Sequence, residues 1–181
     1  DGTQQATTTI TDDDGPASFA VGTFAGTSTG FMAQLSAAID TADLNLYDTS
    51  AGLGVADVTL TGATGGAVTG SLVADGDMVY FIATGGVLAA DAYTATLRSA
   101  ADGFEDTTGR LLDGDGDGTG GDNYVGNFTI EAPAGNAVTL SVADFVRGPG
   151  QPVNLPANAT TGLPVTISEG AGVRNVTLSI D

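Results

Sequence analysis

Residues 92–99 read AYTATLRS. In an extended chain successive side chains point to opposite sides, so Tyr93, Ala95 and Leu97 share one face while Thr94, Thr96 and Arg98 share the other. One face is apolar and the other polar, the alternation of a strand with one buried side.

Segments of the same kind recur on both sides of this one: SFAVGTF (18–24), TGFMAQLS (29–36), LNLYD (44–48), ADVTLTG (56–62), VTGSLVA (68–74), DMVYFIA (77–83) and YVGNFTIE (124–131). Short strands about 8–12 residues apart, separated by Gly, Asp and Asn, are the signature of a sandwich or barrel. The predicted fold is all-β, with an Ig-like β-sandwich over residues 17–132. Tyr47, Tyr80, Phe81, Tyr93 and Phe128 are assigned to the core or a sheet face, and AIDTADL (38–44) to one helical turn.

The flanks differ. TTTITDDD (7–14) reads as a short β-branched strand ending in an acidic turn, and Gly15-Pro16 closes an N-terminal strand and linker of residues 1–16. After EAPAGNA (131–137) come VTLSVADFV (138–146), LPVTISEG (163–170) and VRNVTLSID (173–181). Too few strands remain to close a second sandwich, so residues 133–181 read as an incomplete second β-unit with an open edge or an uncovered apolar face.

Composition removes most chemistries. The 181 residues contain 22 Asp and Glu against four basic residues, with no His and no Cys, for a formal net charge of -18. All four basic residues are arginines: Arg98, Arg110, Arg147 and Arg174. That leaves no imidazole or thiolate for a catalytic pair or a zinc site, no disulfide, and no lysine for a phosphate loop or Schiff base. Phosphate-rich partners are repelled, so nucleic acid and anionic membrane surfaces are excluded and the natural small partners are cations. No stretch has the roughly 18–20 apolar residues needed to cross a bilayer, so no membrane insertion is expected. High acidity without lysine suits an extracellular or cell-surface protein in salty or calcium-rich surroundings.

One loop concentrates the charge: LLDGDGDGTGGDNY, residues 111–124. Alternate carboxylates on an extended chain stand about 6.6 Å apart and repel by roughly 0.6 kcal/mol per pair in water. Without a cation the loop is expected to be disordered; a hard divalent ion with six to eight oxygen ligands reverses the repulsion. Against the EF-hand pattern, Asp113, Asp115 and Asp117 fill positions 1, 3 and 5, Gly118 position 6, and Thr119 offers its carbonyl at 7. Tyr124 occupies position 12 in place of the bidentate Glu, so the loop is not an EF-hand. Asp122 is the expected closing ligand, and Asp102, Glu105 and Asp106 are candidates to complete that calcium ion or to hold a second. Paired carboxylates also serve glycoside hydrolysis, but a glycine-rich loop is too soft to fix their separation, so no enzyme activity is expected. Asn-x-Thr sequons occur at Asn127, Asn158 and Asn175.

Through TGFMAQLSAAIDTADLNLYD, GGVLAADAYTATLRSAADGFEDTTGRLL and the closing YVGNFTI, residues 18–131 resemble the bacterial Ig-like domain of the SbsA type. TTTITDDD is similar to the final strand of Calx-beta repeats, and LPVTISEGAGVRNVTLSID to the opening strands of a cohesin-type domain. These resemblances imply a non-catalytic structural module of a repetitive extracellular protein of surface-layer or adhesin type. The SbsA-type pattern has a short turn where DGDGDG stands, so the calcium site is not implied by the family. Expected partners are neighbouring repeats or copies of the chain through strand edges, including head-to-tail filament assembly by the strand at 5–11, and a surface glycan or protein in an adhesin reading.

Overall fold

The computed structural model describes residues 18–46, 54–132, 140–142, 144, 146 and 165–167. Among the described residues there is no helix. Burial follows the pleat: in β3 (Val58–Gly62) and β7 (Asp91–Leu97), Val58, Leu60, Tyr93, Ala95 and Leu97 are buried, while Thr59, Thr61 and Thr94 face solvent.

The remaining strands of this unit are β1 (Phe19–Thr27), β2 (Gly30–Leu35), β4 (Gly66–Ala67), β5 (Gly70–Asp75), β6 (Met78–Ala83), β8 (Leu112–Asp113) and β9 (Tyr124–Ile130). They form a five-stranded sheet of order β5-β6-β2-β1-β8 and a four-stranded sheet of order β4-β3-β7-β9. Neighbours are antiparallel except β1 and β8, which run parallel through Phe19↔Leu112 and Ala20↔Asp113. Named A to G along the chain, β1-β2-β6-β5 is the A-B-E-D sheet and β3-β7-β9 the C-F-G sheet of an Ig-like sandwich. Tyr93, near the start of β7, donates its hydroxyl to the carbonyl of Ala89 at 2.9 Å, the tyrosine corner of that architecture.

Between the sheets lie Phe19, Phe31, Phe81, Phe104, Leu60, Leu97 and Leu112, all essentially inaccessible to solvent. Phe31 and Phe81 stack across β2 and β6 with ring centroids 5.6 Å apart. Phe24 of β1 meets Tyr124 and Phe128 of β9, at 5.7 and 6.2 Å, and joins the two sheets. β1 and β9 both start at one pole, beside residues 111–122, and end at the other, where the β1–β2 turn lies.

Three local expectations change. Residues 38–44 form no helical turn, because the backbone groups such a turn would use go elsewhere: Ile39 N–H donates to Gly76 and Asp40 N–H to Glu105, both at 2.9 Å. Residues 44–46 form no strand: Asn45 N–H donates to the Asp57 carboxylate at 2.7 Å. The segment 68–74 is not one continuous strand, for β4 ends at Ala67 and Val68 donates to Leu60 before β5 begins at Gly70.

Tyr47, the strand at 7–14, the sequons at Asn158 and Asn175 and most of 133–181 lie outside the described residues. Within 133–181, β10 (Leu140–Val142) pairs antiparallel with β11 (Val165–Ile167), and Leu140, Val142, Val165 and Ile167 are all exposed. The hydroxyl of buried Thr29, in the β1–β2 turn, donates to the Asp144 carboxylate at 2.8 Å.

Candidate metal centre

The acidic loop is closed by backbone before any ion is considered. Leu112 and Asp113 are held against β1, Gly121 N–H donates to the Leu112 carbonyl at 2.9 Å, and Asp113 bridges Asp122. Both ends of residues 113–122 are therefore pinned to the sandwich. Gly114 passes so close to the backbone of Asn123 and Tyr124 that a Cβ there would fall inside it.

Within the loop the carboxylates take the place of missing secondary structure. Asp122 Oδ2 accepts from the N–H groups of Gly114 and Asp115, both at 2.7 Å. Asp113 accepts from Gly116 N–H at 2.8 Å and from Gly118 N–H at 3.0 Å. Asp115 and Asp117 each accept from the N–H two residues on, at Asp117 and Thr119. These Asx-type bonds give the loop a source of order that charge counting alone did not include.

Asp113 is buried, Asp122 half-buried, and Asp115 and Asp117 exposed. Burial works against the Asp113 charge, yet the Ser18 hydroxyl and the N–H groups of Gly118, Gly116 and Asp117 outweigh it and hold the carboxyl below its ordinary range. The group is ionised at neutral pH.

One oxygen from each of Asp113, Asp115, Asp117 and Asp122 lies within 4.8 Å of the others. At that separation each like-charge pair costs about 0.9 kcal/mol in water, and about 3.5 kcal/mol at the effective dielectric of a protein surface. Four hard, anionic oxygens converging from one buried and three accessible side chains form a donor set for a hard cation. Thr119 adjoins this group through its N–H, which donates to Asp117 at 2.7 Å.

The other three acidic candidates stand apart from it. Asp102 pairs with Arg98 at 2.8 Å. Asp106, fully buried, pairs with Arg110 at 2.6 Å and accepts from the hydroxyl and N–H of Thr108 and the N–H of Arg110. Glu105 contributes its backbone, bridging Leu111 and accepting from Asp40. In this arrangement the charges of Asp102 and Asp106 are balanced by guanidinium groups. Their sequence signal is the spacing of four, Arg98 with Asp102 and Asp106 with Arg110, in a chain with only four arginines.

The sequence did not single out Ser18, which ties the chain's entry into β1 to Asp113, or the buried pair of Asp57 with Arg98. Neither contact belongs to a motif, since the partners are brought together by the fold from distant segments. Set against known proteins, this chain matches no family model, no curated protein and no solved structure.

Proposed function

We propose that this chain is a non-catalytic, calcium-binding structural module of a repetitive extracellular or cell-surface protein of surface-layer or adhesin type. The observation that carries the reading is the convergence of Asp113, Asp115, Asp117 and Asp122 within 4.8 Å. Oxygens bound to one calcium ion at 2.3–2.6 Å stand at most about 4.6–5.2 Å apart, so four oxygens within 4.8 Å of one another are compatible with a shared calcium ion. The two-sheet architecture supports the module reading, because an Ig-like sandwich is the fold that the resemblance to SbsA-type domains implies.

The position of the loop supports a structural role. Asp113 touches Ser18 and the first residues of β1, so an ion bound there stiffens the point at which the chain enters the sandwich. A ligand at 100 times its dissociation constant stabilises the folded state by about 2.7 kcal/mol. For a domain of this size that corresponds to a rise in Tm of roughly 10 °C.

Thermal unfolding of the whole chain in EGTA, in millimolar calcium and in millimolar magnesium tests this. The expected result is a calcium-specific rise that is lost in Asp115→Asn/Asp117→Asn. Equal Tm values in EGTA and calcium would overturn the reading.

A second reading is assembly with neighbouring repeats or copies, favoured by the four exposed apolar residues on the β10–β11 ribbon. In its filament form, the strand at 5–11 of one chain completes the second unit of the next. Fibres that persist in electron micrographs after deletion of residues 1–14 would remove that form.

A further inference from the structure

Three rows on the outer surface of the β4-β3-β7-β9 sheet carry no charge; the Asp57–Arg98 pair lies beyond them, at the start of β3 and the end of β7. The register sets Ala67, Thr61, Thr94 and Asn127 in one row across the strands, and Thr59, Thr96 and Val125 in a second. Ala63, bonded to the Ala92 carbonyl, and Ala92 with its partner Thr129 make a third. None of these ten residues ionises, in a chain carrying 22 Asp and Glu.

Between the first and third rows the two alanines leave a shallow groove of about 300 Å³, lined by Thr61, Ala63, Ala92, Thr94, Asn127 and Thr129, together with the aromatic residues Tyr93 and Phe128. Thr94 donates its hydroxyl to Asn127 Oδ1 at 2.8 Å, which engages the carboxamide oxygen and makes the NH2 the donor that the group can offer a ligand. The hydroxyls of Thr61 and Thr129 both donate and accept, and alanine and threonine methyl groups supply apolar contact. All eight lining residues stand on strands or immediately beside one, a rigid support for small, weakly bound groups.

We propose that this groove is a subsite for one neutral sugar unit of a glycan. A sugar ring offers what the lining matches: hydroxyls for an amide and two hydroxyls, and C–H faces for methyl groups. The volume falls at the low end for ligand pockets, the size of a single unit. The missing charge selects neutrality, because no cation stands in the groove to pair a sugar carboxylate or sulfate, and the net charge of -18 repels anions. The two aromatic residues at the groove, buried Tyr93 and half-buried Phe128, stack on each other rather than forming an exposed platform, so binding is millimolar and gains strength only through several copies on one polymer. Asn127 lies five residues beyond Asp122 in the chain, so this inference does not depend on the cation reading.

The test is an NMR titration of the isotope-labelled full chain, in EGTA, with maltohexaose, cellohexaose and mannohexaose to tens of millimolar, and hexagalacturonate as the anionic control. The expected result is a saturable shift of the Thr61, Ala92, Asn127 and Thr129 amides with at least one neutral hexasaccharide and none with hexagalacturonate. Asn127→Leu and Ala63→Phe should each weaken it at least tenfold while leaving the spectrum of the opposite sheet unchanged. Silence with all three neutral sugars overturns the proposal, as does retention of the shift in both variants. Shifts of these amides that follow protein concentration alone would assign the face to a second copy and overturn it equally. Because calcium is absent throughout, failure here leaves the Tm test of the cation site unaffected.

Discussion

The carboxylate of Asp57 lies 2.6 Å from the guanidinium of Arg98 and is wholly shielded from solvent. It also accepts hydrogen bonds from the backbone and side-chain amides of Asn45, at 2.7 and 3.1 Å. One buried charge thus fastens residues 44–46, the start of β3 and the end of β7 together. Removing Arg98 leaves the buried Asp57 carboxylate without a counter-charge, so Arg98→Ala should cost about 3–5 kcal/mol in urea unfolding, and Asp57→Ala less, because Arg98 keeps its pair with Asp102. A double-mutant cycle should show strong coupling between the two, and additive losses would refute the pairing.

Asp106 sets the acid limit of the fold. Burial raises its pKa, but the Arg110 and Thr108 N–H groups, the Thr108 hydroxyl and the Arg110 guanidinium together hold the carboxyl well below the usual range. A folded pKa below the unfolded value of about 3.9 means that the stabilisation is complete above that pH and is lost as pH falls through the folded pKa. Asp91, Asp102 and Asp113 are shifted in the same direction. Tm should therefore stay level from neutral pH to about pH 5 and fall steeply only below about pH 4. Asp106→Ala should lose roughly 1–3 kcal/mol at neutral pH and show a shallower acid fall. Parallel profiles for the two proteins would contradict this.

Two glycines in the acidic loop should respond differently to the same substitution. At Gly114 the added methyl meets the Asn123–Tyr124 backbone, which cannot swing aside, so Gly114→Ala should displace the loop and abolish the calcium response. Gly116 has open space but a φ of 77°, so Gly116→Ala should cost only about 1–2 kcal/mol and keep the response. Calcium titrations of the two variants side by side distinguish crowding from backbone strain.

The Tyr93 hydroxyl spans from β7 back to Ala89. Tyr93→Phe keeps the ring, which stacks on Phe128 at 5.3 Å, and deletes one hydrogen bond. The expected loss is about 0.5–1.5 kcal/mol, read from urea midpoints at unchanged m-value.

The sandwich was legible because its strands carry their own evidence. In AYTATLRS and ADVTLTG alternation alone assigns Tyr93, Ala95, Leu97, Val58 and Leu60 to the core, and burial agrees. The four loop aspartates were legible for a related reason, since close spacing on a chain of glycines leaves them little room to separate. β8 was not, because Leu112 and Asp113 have no pattern of their own and become a strand only by lying against Phe19 and Ala20. The placing of Asp102 and Asp106 was equally hidden. Proximity in sequence suggested that they complete the loop's ion or hold a second, whereas the fold gives each an arginine and leaves the loop its own four carboxylates.

The parallel contact of β1 with β8 has a mechanical meaning. The chain enters the sandwich at the pole of the acidic loop and leaves β9 at the opposite one, so tension applied to the two ends runs along the strands. Under that load the bonds between Phe19–Ala20 and Leu112–Asp113, and those of β1 with β2, are strained in shear and must yield together; a hairpin pulled from its open end would instead unzip pair by pair. Asp113 sits inside this shear patch, so the end of the acidic loop lies among the bonds that such a load would strain first.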